Sequence, residues 1–341
     1  MSSLMLDEVR ETPSLVAAQL AADGEAYASL AASLAAAPPV FAATIARGSS
    51  DHAASYAATV LAHAMGLATA SLAPSLVSRY GVELALDKAF VLGLSQSGAS
   101  PDLVASMQAA AASGAVTAAI VNQPDSPLAE AAGHVLPQRA GAERSVAATK
   151  SFILTLVAIA RLAAVWRGDA ALRAGLERLP ERLEAALAVN WGGTVDTLAE
   201  ASSLYVLGRG PALSIANEAA LKLKETSYLH AEAFSSAEVR HGPRAVIDDG
   251  FPVLALALAD AGGADTAAFA AEMAASGGTV ITASPDPDVA GQAVRLPEPL
   301  HPLLDPIVAI TAFYPMAATL AAARGHDPDK PRGLKKVTST V

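Results

Sequence analysis

The run Ser95-Gln96-Ser97-Gly98-Ala99-Ser100-Pro101-Asp102 gathers three hydroxyls and a carboxamide around one glycine. It follows the apolar stretch 89–94 and opens a helical pattern, with Ser100 as the expected N-cap and Pro101 at the first helical position. Hydroxyls, a carboxamide and the unsatisfied N–H groups of a helix start make a neutral cradle for a phosphate. An ordinary strand-to-helix turn uses the same residue types, so the loop alone leaves both readings open. Gly48-Ser49-Ser50 ends an earlier apolar run and points to the same sheet edge, where open α/β sheets hold their ligands.

A second set lies further on. Residues 218–227 read as a helix in which Lys222 and Glu225 stand three apart and share a face. His241 follows in the turn Arg240-His241-Gly242-Pro243. Glutamate and histidine are the types needed to move a proton between adjacent carbons and to open a sugar ring. The plainer alternatives are a solvated ion pair and a turn histidine, and local sequence does not choose between them. At the C-terminus, Lys336 sits in a polar tail that reads as a frayed end, or as a segment anchored by Leu334 and Val337. A lysine held in a closed apolar pocket can act as an amine on a sugar carbonyl.

The elements that position these residues show in the hydrophobic pattern. Apolar runs at 40–46, 89–94, 116–121, 204–207, 253–258 and 279–283 alternate with longer Ala-rich helical patterns. This points to an α/β fold of βαβ units, with parallel sheets covered by helices. With 52% hydrophobic and 16% charged residues, the chain can bury two such cores. An internal repeat supports two copies: the turn glycines Gly48 and Gly210 lie 162 residues apart (210 − 48), and two later strand runs recur at nearly that offset. The expected division is a helical lead (1–37), a first doubly wound domain (38–170), a helical connection (171–189), a second domain (190–325) and a tail (326–341). The second copy's counterpart of the hydroxyl loop, Leu258-Ala259-Asp260-Ala261-Gly262, carries an acid and no hydroxyl, so only the first copy is suited to a phosphate.

Composition excludes other classes. A net charge of -10 without a Lys/Arg cluster argues against nucleic-acid binding. There is no cysteine, and the seven histidines lack ligand spacing, so no metal is expected. The N-terminus has no basic, apolar leader. The stretches 152–166 and 306–323 read as buried helices of a cytoplasmic protein rather than membrane spans.

Taken together, the motifs RGSSDHA, LSQSGASPDL, AGAERSVAATKSF, LGRGPALSIANEAALKLKETSYLHAEAFSSAEVRHGPRAVID and DKPRGLKKV resemble the isomerase part of glutamine:fructose-6-phosphate amidotransferase and the related SIS-type glucosamine-6-phosphate deaminases. The resemblance implies two tandem SIS domains, each a flavodoxin-like doubly wound parallel sheet. It also implies a sugar-phosphate substrate, no cofactor, and a homodimer with shared active sites. Ser95, Gln96, Ser97 and Ser100 match the family's phosphate loop, and Ser50 and Val146 match substrate-contacting positions. Glu225 matches the acid/base that carries a proton between C1 and C2, and Lys222 the lysine one turn earlier. His241 matches the ring-opening histidine, which reaches across from the partner subunit. Lys336 matches the Schiff-base lysine, and Arg332 the arginine of the terminal loop. Ala99, Ala148 and Lys335 depart from the synthase pattern, where Glu, Ser and Ala stand. These departures put the sugar and the direction in play, but not the phosphate.

No glutaminase part and no cysteine nucleophile accompany the sugar half, so the chain alone is not expected to draw ammonia from glutamine. The reading this favours is a glucosamine-6-phosphate deaminase. The alternatives are a galactosamine-6-phosphate deaminase/isomerase, a fructosamine-6-phosphate deglycase, an amidotransferase-like isomerase without the glutaminase, and a non-catalytic sugar-phosphate sensor.

Overall fold

The structure, a computed structural model, describes residues 3–336. It divides into two compact units. The first comprises Ser14–Glu143, Lys150–Glu177 and the segment from Lys335; the second comprises the N-terminal residues through Pro13, Arg144–Thr149 and Arg178–Leu334.

In the first unit the apolar runs become a five-stranded parallel sheet: β1 (Phe41–Ile45), β2 (Thr69–Ser71), β3 (Ala89–Ser95), β4 (Val116–Val121) and β5 (His134–Pro137), ordered β2-β1-β3-β4-β5. The central strand β3 is buried along its whole length, as a strand covered on both faces must be. Val91 and Val121 pack with Leu103 and Met107 of the helix Pro101–Ala112 and with Leu128. The helix Lys150–Arg167 is almost wholly buried and packs on the helices Ser49–Met65 and Gly24–Ala36. Arg161 of this helix donates from Nη1 to the Gln19 carbonyl at 2.7 Å and lies over the Tyr27 ring.

The second unit repeats the plan: β6 (Ser203–Gly208), β7 (His230–Ser235), β8 (Pro252–Leu256), β9 (Thr279–Ser284) and β10 (Gln292–Arg295), ordered β10-β9-β8-β6-β7 and parallel throughout. Read from the other edge, this is the connectivity of the first sheet, the flavodoxin-like order. Gly48 (φ 56°, ψ −135°) and Gly210 (φ 58°, ψ −130°) adopt the same backbone conformation at the start of equivalent helices. That region is open chiefly to glycine, and the match carries the repeat down to single dihedrals. Among the described residues, the helix Asp305–Ala323 is long and apolar enough to cross a membrane, yet 78% of it is buried. It packs on the helix Pro211–Ser227.

Candidate active site

The hydroxyl loop of the first unit is a preformed turn. Ser95 Oγ accepts the Gly98 N–H at 3.0 Å, the Leu128 N–H donates to the Gly98 carbonyl at 3.0 Å, and the Asn122 N–H to the Gln96 carbonyl at 3.2 Å. Gly98 has φ +62°, and a Cβ there would meet Ser126 Oγ at 2.0 Å, so both conformation and space require glycine. Ser100 is the N-cap residue, as expected, but its side chain makes no capping bond, and Pro101 follows as expected.

The helix start contributes less than the sequence suggested. Pro101 has no N–H, the Leu103 N–H is taken by Asp102 Oδ1, and the Val104 N–H by the Ser100 carbonyl. The polar groups this loop leaves for a ligand are therefore chiefly Gln96, Ser97, Ser100 and the loop backbone. Ser50 lies half-buried in the first turn of the helix Ser49–Met65. Sequence reasoning passed over Arg47 and Asp102. Asp102 is 1% exposed, and Arg47 Nε and Nη2 donate to its Oδ2 at 3.1 and 2.9 Å.

Also in the first unit, Lys336 Nζ donates to Glu143 Oε2 at 2.7 Å. Glu143 is buried, and Ser151 grips both its oxygens: N–H to Oε1 at 3.0 Å and Oγ to Oε2 at 2.7 Å. Burial alone would push the Glu143 carboxyl up, but the Lys336 charge and these hydrogen bonds together hold it below the usual range. Lys335 is exposed. Leu334, expected as an anchor, is 45% exposed and anchors nothing by burial. Val337, the other expected anchor, lies outside the described residues.

In the second unit the helix Pro211–Ser227 brings Glu218, Lys222 and Glu225 to one face. Lys222 Nζ lies 2.6 Å from Glu225 Oε2 and 3.3 Å from Glu218 Oε1. The solvated-pair alternative fails, because Lys222 and Glu218 are fully buried. Only Glu225 of the three reaches solvent, with 21% of its side chain exposed. Burial disfavours the Lys222 ammonium, but Glu218 and Glu225 outweigh it and raise its pKa above the ordinary lysine value. Tyr314 donates to Glu218 Oε1 at 3.3 Å and closes the buried end. Glu218 and Tyr314 were not singled out from sequence. The i,i+4 spacing of Glu218 and Lys222 was a usable signal for the first; nothing local marks the second.

His241 ends a short 3-10 turn, Glu238–His241, and is exposed; no hydrogen bond joins it to Glu225. Its neighbour Arg240 fixes that turn, paired with both oxygens of Glu272 at 2.7 and 2.8 Å. The Val146 N–H donates to the Asp329 carbonyl at 3.2 Å, and the Glu8 carboxylate accepts the N–H groups of Arg144 and Ser145. Arg332 is exposed; its N–H donates to the Tyr228 hydroxyl, and its guanidinium lies 5.2 Å from that ring. Tyr228 caps the helix that carries Glu225.

The corresponding edge of the second sheet is built differently. Asp260 caps the helix Ala261–Ala275 by accepting the Gly263 N–H at 2.6 Å. A cavity of about 400 Å³ beside it is lined by Asp260, Ser284 and Asp286. A carboxylate stands there where the first unit has the hydroxyl loop. Another cavity in this unit, of about 520 Å³, is lined by Leu6, Ala318, Thr319 and His326 and contains none of the candidate residues. Among the described residues no group of His, Asp and Glu could hold a metal ion.

The SIS domain profile matches residues 42–165 and 197–323. A glutamine–fructose-6-phosphate aminotransferase (isomerizing) of Zymomonas mobilis is 37% identical over 264 residues, covering 72% of this chain and 43% of that protein. The chain thus spans about half the length of the curated relatives it matches. A Silicibacter pomeroyi structure, assigned only provisionally as a phosphosugar isomerase, superposes with TM-score 0.90 at 43% identity, over 96% of this chain and 100% of that one. The C-terminal domain of glucosamine-fructose-6-phosphate aminotransferase from Francisella tularensis gives TM-score 0.86 at 25% identity, over 97% and 99%. Glucosamine-6-phosphate deaminase from Thermotoga maritima gives 0.77 at 19% identity, over 99% and 100%, a likeness of fold alone.

Proposed function

The chain belongs to the SIS domain family, and within it we propose that it performs the isomerase half of amino-sugar-phosphate chemistry, interconverting fructose 6-phosphate plus ammonia with glucosamine 6-phosphate plus water. The observation that carries this is the triad Glu218–Lys222–Glu225: a buried lysine held between two carboxylates, one of which alone reaches solvent. Such a carboxylate has a fixed orientation and one free side, which suits a proton shuttle between neighbouring carbons.

The steps follow from that role. Ammonia condenses with the C2 carbonyl of open-chain fructose 6-phosphate, releasing water and giving a C2 imine. Glu225 takes a proton from C1 and returns it to C2, while the proton of the C1 hydroxyl passes to the imine nitrogen, leaving an aldehyde at C1 and an amine at C2. His241 opens or closes the ring by moving a proton at the ring oxygen. The loop 95–100 holds the phosphate, with Ser50, Val146 and Arg332 at the sugar. Lys336 takes the place of the Schiff-base amine. The homodimer with shared sites is part of this proposal.

The 37% identity to isomerising aminotransferases shifts the weight from the deaminase expected at first to this isomerase reading, because the deaminase likeness is one of fold. The deaminase reading keeps one supporting observation. The 341 residues contain no cysteine, so they offer no thiolate to open the glutamine amide, and breakdown of glucosamine 6-phosphate needs none. Both directions are tested together. Purified protein should form glucosamine 6-phosphate from fructose 6-phosphate and ammonium salts, and should release ammonia and fructose 6-phosphate in equal amounts from glucosamine 6-phosphate. Release of an amino acid from a fructosamine 6-phosphate, with neither of these reactions, would establish a deglycase instead.

A further inference from the structure

We propose that Arg47 is the charge-bearing ligand of the phosphate cradle, held in place by Asp102; this rests on the reading of loop 95–100 as a phosphate site. Arg47 directly precedes Gly48, on the connection leaving β1. In the order β2-β1-β3-β4-β5, the connections from β1 and β3 diverge, and the crevice between them is the ligand position of a doubly wound sheet. Arg47 stands on one lip of that crevice and loop 95–100 on the other. Asp102 ties them together: it lies two residues after the N-cap Ser100, about 3 Å along a helix axis.

The guanidinium spends Nε and Nη2 on one oxygen of Asp102, which leaves Nη1 unengaged among the described residues, and its side chain is 45% exposed. A planar guanidinium can hold a carboxylate on one edge and a phosphate on another. The charge balance calls for that second contact. A phosphate ester brings about −1.5 to −2, the loop's hydroxyls and carboxamide are neutral, and Asp102 adds a buried negative charge beside the same helix start. Arg47 is the cation positioned to offset them. A buried hydroxyl also packs beneath the loop. Ser126 is 5% exposed, its Oγ has no hydrogen-bond partner among the described residues, and it lies against Gly98.

The internal repeat supplies a control. Arg209 precedes Gly210 as Arg47 precedes Gly48, and it pairs with Asp265 at 2.8 Å. There both partners are exposed, at 43% and 56%, and the neighbouring loop has no hydroxyls and carries the capping Asp260. An arginine–aspartate clasp thus recurs as architecture, and only the first copy couples it to a phosphate-type loop.

The test measures binding of inorganic phosphate and of fructose 6-phosphate by calorimetry, with thermal unfolding as the check on folding. R47M/D102N removes the clasp without leaving a lone buried charge. It should weaken both probes at least tenfold, and the gap should narrow as salt is raised. R209M/D265N should stay within twofold of the unmodified protein. R47K keeps the charge but loses the fork; it should fold normally and weaken both probes at least threefold, and it decides the matter if the double variant does not fold. Affinity unchanged in folded R47M/D102N, or in R47K where that variant decides, overturns the role of Arg47 and leaves the phosphate loop standing. An unmodified protein that binds neither probe overturns both.

Discussion

Lys336 Nζ and Glu143 Oε2 lie 2.7 Å apart, with the carboxylate wholly buried and the lysine 23% exposed. The pair seats the last described residue of the chain on a buried charge that Ser151 also holds. Because Lys336 is the proposed Schiff-base amine, its position is set by a residue that carries no mark of chemistry in the sequence.

Glu143 gives a pH prediction with a definite sign. Its pKa is depressed in the folded protein, so its stabilising contribution is present above the unfolded carboxyl value, about 4.3, and is lost as pH falls through the folded value. Glu143→Gln should therefore flatten the loss of stability below about pH 4.5, measured by urea unfolding from pH 3 to 7. An identical pH dependence in the two proteins would show that the carboxylate charge contributes nothing there.

The buried triad predicts a strong and repairable loss. Lys222→Met leaves Glu218 buried without its cation, and breaking such a pair costs about 3–5 kcal/mol. The double change K222M/E218Q removes the charge together with its partner and should recover much of that loss in denaturant unfolding. Equal stability of the single and double variants would mean that Glu218 is not the group left stranded.

For the hydroxyl loop, the phosphate should be obligatory. Loop donors left unpaired by an unphosphorylated sugar cost about 1–3 kcal/mol each when buried, so glucosamine should be a very poor substrate beside its 6-phosphate. Gly98→Ala should abolish phosphate binding, since it forces a strained φ and a clash with Ser126 together. G98A/S126A relieves the clash but not the φ, so it should recover only part of the binding. Comparable kcat/KM for both sugars would remove the loop from the phosphate site.

His241 is predicted to act from the partner subunit. In random mixtures of inactive His241→Ala and inactive Glu225→Gln, about half the dimers are hybrids with one intact site each, so about one quarter of full activity should return. No recovery, with subunit exchange shown by mass spectrometry, would place both residues in one subunit's site or deny His241 a role.

What the sequence showed and hid follows from burial. The six strands visible as apolar runs correspond to β1, β3, β4, β6, β8 and β9, the inner strands of the two sheets. The four that did not stand out, β2, β5, β7 and β10, are edge strands. An edge strand is covered on fewer sides and needs no continuous apolar run; the mixed sequence HAEAFS of β7 is an example. The helix Pro211–Ser227 begins seven residues before the expected start at 218, because Ala, Leu and Ile in that stretch fit several local patterns. At the candidate site, the sequence singled out residue types with obvious chemistry: the loop serines, Glu225 and His241. Glu218 could have been found from its i,i+4 spacing to Lys222, whereas Arg47, Asp102, Glu143 and Tyr314 became visible only through contacts between residues far apart in the chain.

The central claim is that Glu225 carries a proton between C1 and C2 of a hexosamine phosphate. Its most direct measurement is proton NMR of glucosamine 6-phosphate incubated with the protein in deuterated water, beside the Glu225→Gln variant. The account predicts solvent deuterium at C2 of recovered glucosamine 6-phosphate and at C1 of the fructose 6-phosphate formed. Both should be slowed by about 10²–10⁴-fold in the variant, while calorimetry shows that it still binds the sugar phosphate. No deuterium at either carbon with the unmodified protein, or equal incorporation in the variant, would contradict it.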